Sequence, residues 1–427
     1  MLQGSRETMG GANLITALAV GGMMSAGAVS SLGGDWPQFL GPQRDGSTTN
    51  SVTVPWPSDG PVRRWKLSVG SGFSGPVVRD GKVILFDRRD DQERVQALDL
   101  RNGKVLWEHR APTAYVDSFG FDNGPRGTPA TTPERVVTFG AEGRLTCLRL
   151  ADGAREWVVE TGRELGGDKG FFGPACSPLI VSNRIFLNLG NRDGGGIAAF
   201  SLDTGRLLWK RTDHEAGYAS PVVGICTLAS GLSSPLALFF TREGFVGATY
   251  DGDVRFKHPW RSRQHASVNA ASPLVVSNEV FLTASYDTGA TLLRLGDRGV
   301  KVIWSSDEAL SAHYATPVVR QGFLYGFHGR QEQGPEFRCV EWATGKVRWK
   351  QENLGAGTVA LAGDRLVLLL ESGELQIAEA NPQAFRPLGR AQVLGRDTRA
   401  PFALAEGALV ARDPRQLICV EVGKPTL

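Results

Sequence analysis

The chain has 427 residues, and 47 Lys and Arg stand against 44 Asp and Glu, for a net charge of +3 with the two signs interspersed. That balance leaves no basic stripe for phosphates and argues against a nucleic-acid partner. Glycine (54) and proline (23) are abundant while 41% of residues are hydrophobic, so the chain can fill a large core but must turn often, which favours many short strands.

The first element in chain order reads as an export leader. Arg6 precedes an apolar stretch from Ala12 to Val29, and Ala26-Gly27-Ala28 offers the small residues a signal peptidase requires. Residues 1–28 are therefore expected to be a signal peptide and the product to be periplasmic or secreted. Glu7, Gly21 and Gly22 fit that pattern less well and leave a disordered leader, or a start at Met9, as alternatives. The stretch is too short and glycine-rich for a membrane span. Residues 29–61 are read as an extended segment packing on the domain that follows, 62–423.

That domain is a repeat. One unit runs Ser74-Gly75-Pro76-Val77-Val78, Gly81-Lys82-Val83-Ile84-Leu85, Val95-Gln96-Ala97-Leu98-Asp99 and Asn102-Gly103-Lys104-Val105-Leu106-Trp107. The same order returns from Thr128-Pro129 to Trp157, Ser177-Pro178 to Trp209, Ser272-Pro273 to Trp304 and Thr316-Pro317 to Trp349. Three further copies are worn: one opens at Ser220-Pro221 and has Phe256 where Trp is expected, one opens at Gly357-Thr358-Val359, and one runs from Ala400-Pro401 to Val422 without a closing strand. The strand around Trp65 precedes the first unit and can close the last. Units of roughly 45 residues with four strands each predict an all-β, eight-bladed propeller of four-stranded antiparallel blades, with seven blades as the alternative.

Within a unit, Pro heads the first strand where no ladder hydrogen bond is donated, and Asp-x-x-Thr/Asn-Gly-Lys forms a hairpin turn. The recurring Trp is expected to be a staple between blades, because one appears in nearly every unit while a ring has one axis. Five cysteines, odd in number and without a CxxC or adjacent pair, do not make a disulfide framework. Cys147, Cys339 and Cys419 occupy the place that Ala97 and Ala199 hold in other units, as small buried hydrophobes would.

The order Pro-Val, Ala/Cys-Leu-Asp, Thr-Gly-Lys-x-x-Trp resembles the quinoprotein (pyrroloquinoline-quinone-type) repeat, found in quinone-dependent alcohol dehydrogenases and in the outer-membrane-assembly lipoprotein propeller. The resemblance covers about Trp65 to Val422. Asp35-Trp36-Pro37-Gln38-Phe39-Leu40-Gly41-Pro42 also looks like the opening of exported quinone-binding-like bacterial propellers. For function the resemblance implies two options. One is a binding scaffold in the cell envelope, monomeric, that engages a protein, peptide or polysaccharide through its channel face. The other is a quinone-dependent alcohol or sugar dehydrogenase using pyrroloquinoline quinone with calcium. The dehydrogenases sandwich the quinone between a Trp and a vicinal disulfide, and no two cysteines are adjacent here.

Function in propellers gathers in the loops that enter each innermost strand. Those loops carry Phe119, Phe121, Asp122, Asn123 and Arg126; Phe171 and Phe172; His214 and Tyr218; His265 and Asn269; His313 and Tyr314; and Arg399. One reading is a polar, aromatic-walled pocket in which His214, His265 and His313 bind a metal or move protons and Arg126 or Arg399 holds an anion. The other is that these side chains satisfy neighbouring backbone around the channel.

Overall fold

Apolar alternation over four short runs joined by tight turns is what an antiparallel meander needs. In the computed structural model each repeat is one such sheet. The structure describes residues 34–424 apart from 167–169, 228–230, 232, 263, 266 and 298, so the leader and its cleavage site at Ala28 lie outside the described residues. Eight sheets follow one another. Blades 1 to 7 cover 77–112, 130–160, 179–211, 222–259, 274–306, 318–351 and 357–392. Blade 8 joins Ala403–Ala405, Ala408–Arg412 and Gln416–Glu421 to Arg63–Ser68. The worn units at Pro221 and Thr358 are blades 4 and 7, each with four strands of its own, which overturns the seven-bladed alternative.

The ring shuts where the sequence suggested. Trp65 pairs with Cys419, Lys66 with Ile418 and Leu67 with Leu417 in an antiparallel ladder. Without that strand, Gln416–Glu421 would present unpaired backbone groups at an open edge.

The repeated Trp works between blades rather than at the axis. It stands opposite the small residue of its own blade: Ala97 faces Trp107, Cys147 faces Trp157, Ala199 faces Trp209, Cys339 faces Trp349 and Cys419 faces Trp65. Its indole N–H donates to a carbonyl of the next blade at 2.8–2.9 Å: Trp65 to Leu100, Trp107 to Leu150, Trp157 to Leu202, Trp209 to Tyr250, Trp304 to Trp342 and Trp349 to Asn381. The turn glycine of that next blade lies under the ring. A Cβ on Gly103, Gly153, Gly205, Gly252 or Gly345 would come within 2.4–2.9 Å of the indole. The glycine thus serves a positive φ and a close approach at once. All five cysteines are free and buried, and burial pushes the thiols of Cys147, Cys176, Cys339 and Cys419 up to about 12.

Around the axis the Ser/Thr-Pro signatures form a chain of hydrogen bonds. The N–H of Gly75 donates to the Thr128 hydroxyl, Thr128 to Ser177, Ser177 to Ser220, Ser220 to Ser272 and Ser272 to Thr316, at 2.8–3.1 Å. Each hydroxyl satisfies a buried N–H of the preceding blade, which strand pairing within one sheet cannot do.

Residues 34–56 lie against this ring. Trp36 exchanges backbone hydrogen bonds with Val78 in blade 1, and the Pro37 carbonyl accepts from Thr131 in blade 2. Arg44, buried, donates to the carbonyls of Ser177 and Pro178 before blade 3. Ser47–Thr48 adds in parallel to the first strand of blade 7, and Asn50 donates to Leu404 in blade 8. The first strands of neighbouring blades adjoin one another. The segment that touches so many of them therefore crosses the axis.

Candidate functional site

Because residues 34–50 cross the ring, the loops entering the inner strands surround a cup. The cup has a volume of about 430 Å³, and Phe39 of the crossing segment contributes to its lining. One half of the wall is aromatic: Phe73, Phe119, Phe121, Phe171, Phe172 and Tyr218. The other is polar: Tyr286, His313, Tyr314, Arg330, Gln331, Glu332 and Arg399. Ser177, Ser220 and Pro401 of the entry loops also line it.

The aromatic half is a packed cluster. Phe119 meets Phe172 at 5.2 Å between ring centroids and Phe171 at 5.9 Å, and Phe172 meets Tyr218 at 5.7 Å. The Tyr218 hydroxyl accepts the N–H groups of Phe171 at 2.8 Å and Phe172 at 3.1 Å, which fixes that pair, and burial pushes its phenol up to about 12. Phe119 and Phe121 form the rim and remain 55% and 59% exposed. Arg126 stands behind them, its guanidinium 5.5 Å from the Phe172 centroid and 5.6 Å from that of Phe73. It donates to Asp117 Oδ2 at 3.0 Å and to the Asp122 carbonyl at 3.2 Å, while its Nη1 is buried with no hydrogen-bond partner.

The polar half is a relay of hydrogen bonds that fixes its own protons. Gln331 Nε2 donates to Glu371, so Gln331 Oε1 accepts from His313 Nδ1 at 2.8 Å, and His313 Nε2 then accepts from the Tyr286 hydroxyl at 3.0 Å. Burial pushes the His313 imidazole below its usual range, against Gln331, which favours the charged form. Tyr314 donates to Glu371 Oε1 at 2.7 Å, and burial together with that carboxylate holds the Tyr314 phenol well above its ordinary value.

Of the residues singled out in the sequence, the structure brings Arg126, Tyr218, His313, Tyr314 and Arg399 to the cup, with the four phenylalanines. The other five are engaged elsewhere. Asp122 accepts the Gly124 N–H and Asn123 accepts the Asp117 N–H, both within the loop turn. His214 Nδ1 bonds Thr241 Oγ1 at 2.8 Å, and burial lowers its pKa although Glu243 opposes this. His265 lies edge-on to Phe171, and its carbonyl accepts from Arg242. Asn269 donates to the Thr241 carbonyl and accepts the Tyr218 and Ala219 N–H groups. Among the described residues no group of three His, Cys, Asp or Glu side chains is placed to hold a metal ion.

Sequence reasoning missed Phe39, Phe73, Tyr286, Arg330, Gln331 and Glu332. The last three belong to the hairpin from His328 to Pro335 in blade 6, and the surplus length of that hairpin was the available signal. The residues present do not fit pyrroloquinoline quinone with calcium. Calcium takes about six to eight oxygen ligands, whereas among the described residues Glu332 is the only carboxylate residue lining the cup, and neither a Trp nor a Cys of the described residues lines it.

A family model described as outer membrane protein assembly factor BamB matches residues 47–157 and 91–351. Proteins of that name from Legionella pneumophila (strain Paris) and Xanthomonas campestris pv. campestris are 25% identical over 53% of this chain and 30% identical over 24% of it. The chain spans less than half the length of these curated relatives, 45% and 26%. Among solved structures, BamB from Moraxella catarrhalis aligns over 84% of this chain and 97% of its own, with a TM-score of 0.59 at 15% identity. The quinohemoprotein alcohol dehydrogenase from Comamonas testosteroni aligns over 92% of this chain and 81% of its own, with a TM-score of 0.54 at 13% identity. At such identities both likenesses speak to the fold alone.

Proposed function

Because this chain belongs to the family of the outer membrane protein assembly factor BamB, we propose that it is a binding scaffold of the cell envelope that engages a protein, peptide or polysaccharide partner through the cup and its rim. One observation carries this reading. The cup joins an exposed aromatic rim to guanidinium groups, while its titratable histidine is locked between Tyr286 and Gln331. Such a surface holds a ligand through burial and hydrogen bonds. Export to the periplasm, with 1–28 removed, and action as a monomer belong to the same proposal. No helix among the described residues is long and apolar enough to cross a membrane.

Site-specific photo-crosslinking in intact envelopes tests the proposal. A photoreactive phenylalanine analogue replacing Phe121 at the rim is expected to give discrete adducts, and one replacing Val158 in the outer strand of blade 2 is not. Adducts from Val158 with none from Phe121 would contradict it.

A further inference from the structure

The hydrogen-bond inventory of the cup is one-sided. Among the described lining residues, the buried polar side-chain atoms that lack a hydrogen-bond partner are Arg126 Nη1, Arg330 Nε and Arg399 Nε, and all three are donors. Arg330 and Arg399 have carboxylates nearby, Glu332 at 3.3 Å and Glu371 at 3.5 Å, but without hydrogen-bond geometry at these nitrogens. Arg126 spends Nη2 on Asp117 and holds its guanidinium carbon 5.5–6.0 Å from the ring centroids of Phe73, Tyr115 and Phe172. Those three atoms are closed off, but the side chains that carry them line the cup and are 12%, 32% and 31% exposed, so a ligand that brings acceptors meets the guanidinium groups at their open edges.

Most acceptors at the wall are engaged: Gln331 Oε1 accepts from His313, the Tyr218 hydroxyl from two N–H groups, and Glu371 Oε1 behind the wall from Tyr314 and Gln331, which leaves the exposed Glu332 carboxylate beside Arg330 as the open one. A sugar presents hydroxyls that must donate as well as accept, so it matches this wall poorly. A peptide backbone carries one N–H for each carbonyl, but carboxylate side chains add acceptors without donors, and apolar side chains of such a peptide match Phe119, Phe171 and Phe172. The volume of about 430 Å³ sets the size. It lies within the range of sites for small ligands and below what a helix about 10–12 Å across would need to enter.

We propose, resting on the scaffold reading above, that the cup receives an extended acidic–aromatic peptide segment, with a carboxylate on Arg126, an aromatic side chain against Phe119 and Phe172, and main-chain carbonyls toward Arg330 and Arg399. Arg126 supplies a charge-assisted hydrogen bond from a site shielded by Phe73, Tyr115 and Phe172. The rim phenylalanines provide the apolar contact at low entropic cost, because each has only two side-chain torsions.

Fluorescence anisotropy with the whole chain tests this. The probe is a short labelled peptide alternating Glu and Phe, blocked at both ends, and its counterpart has Lys for every Glu. The acidic peptide is expected to bind and the basic one not. Arg126→Gln is expected to weaken binding by about tenfold or more. Arg399→Gln, which sits apart from the aromatic cluster, is expected to weaken it too, and this keeps the test decisive if Arg126→Gln fails to fold. Neither 3-phenylpropionate nor a neutral maltodextrin is expected to displace the peptide at equal concentration. Equal binding of the two peptides, binding indifferent to both substitutions, or displacement by the small carboxylate or the maltodextrin would overturn the peptide assignment. Rim crosslinks from Phe121 alongside such a failure would retain the scaffold and reject only the ligand class.

Discussion

Glu93 shows what one buried group does to the ring. Its carboxylate lies at the junction of blades 1 and 2 and accepts the Ala141 N–H at 2.8 Å. Burial pushes its pKa up to about 7, against the Ala141 hydrogen bond and the Arg144 and Arg88 charges, while Glu142 adds to the rise. The folded state therefore keeps a proton that the unfolded chain releases near pH 4.5. Stability contributed by the neutral acid is present below that pH and is lost as pH rises through 7. Glu93→Gln keeps the acceptor and removes the charge. It is expected to match the native chain near pH 4.5 and to exceed it at pH 8, by on the order of 3 kcal/mol at most. Urea unfolding across that range checks this, and a difference that does not grow with pH would contradict it.

Residues whose role is set inside one repeat were legible in the sequence. The burial of Cys147, Cys339 and Cys419 follows from their place in the repeat, and the joining of the strand around Trp65 to the last blade follows from the strand that blade lacks. The placement of His214, His265 and Asn269 did not, because loop offsets before each Pro differ and a shared loop does not fix which way a side chain turns.

At the scale of the element, the segment before the ring compensates for a gap in the repeat. Blade 7 has Gly389 opposite Ile377, where blade 4 has Phe256 and the other six blades have Trp. A Cβ on Gly389 would lie 3.1 Å from Val54 and 3.8 Å from Trp56, and both pack against the core shared by blades 7 and 8. Trp56 thus supplies from outside the blade the aromatic bulk that blade 7 lacks. Trp56→Ala is expected to cost about 1–3 kcal/mol and to speed proteolysis between 381 and 402. Unchanged unfolding and unchanged cleavage would contradict this assignment. The sequence displayed the worn blade but not its repair, since Val54 and Trp56 stand outside the repeat and no register position marks where they pack. The crossing of the axis by Phe39 escaped sequence reasoning for the same reason.

For the whole molecule, closure decides everything else. The cup exists because eight blades hold their inner loops at a common mouth, and they do so only while Arg63–Ser68 completes blade 8. Five complete repeats and a spare strand made that architecture readable, whereas the cup's chemistry depended on the lengths of single hairpins. The closed ring also predicts a cooperative response, since opening the seam frees two long edges at once. Amide hydrogen exchange on the native chain measures this directly. The account predicts that the paired amides of Arg63–Ser68 and Gln416–Glu421 are protected to the same extent and exchange together, at the level of global unfolding. Rapid exchange across Arg63–Ser68 while Gln416–Glu421 stays protected would show an open ring and contradict it.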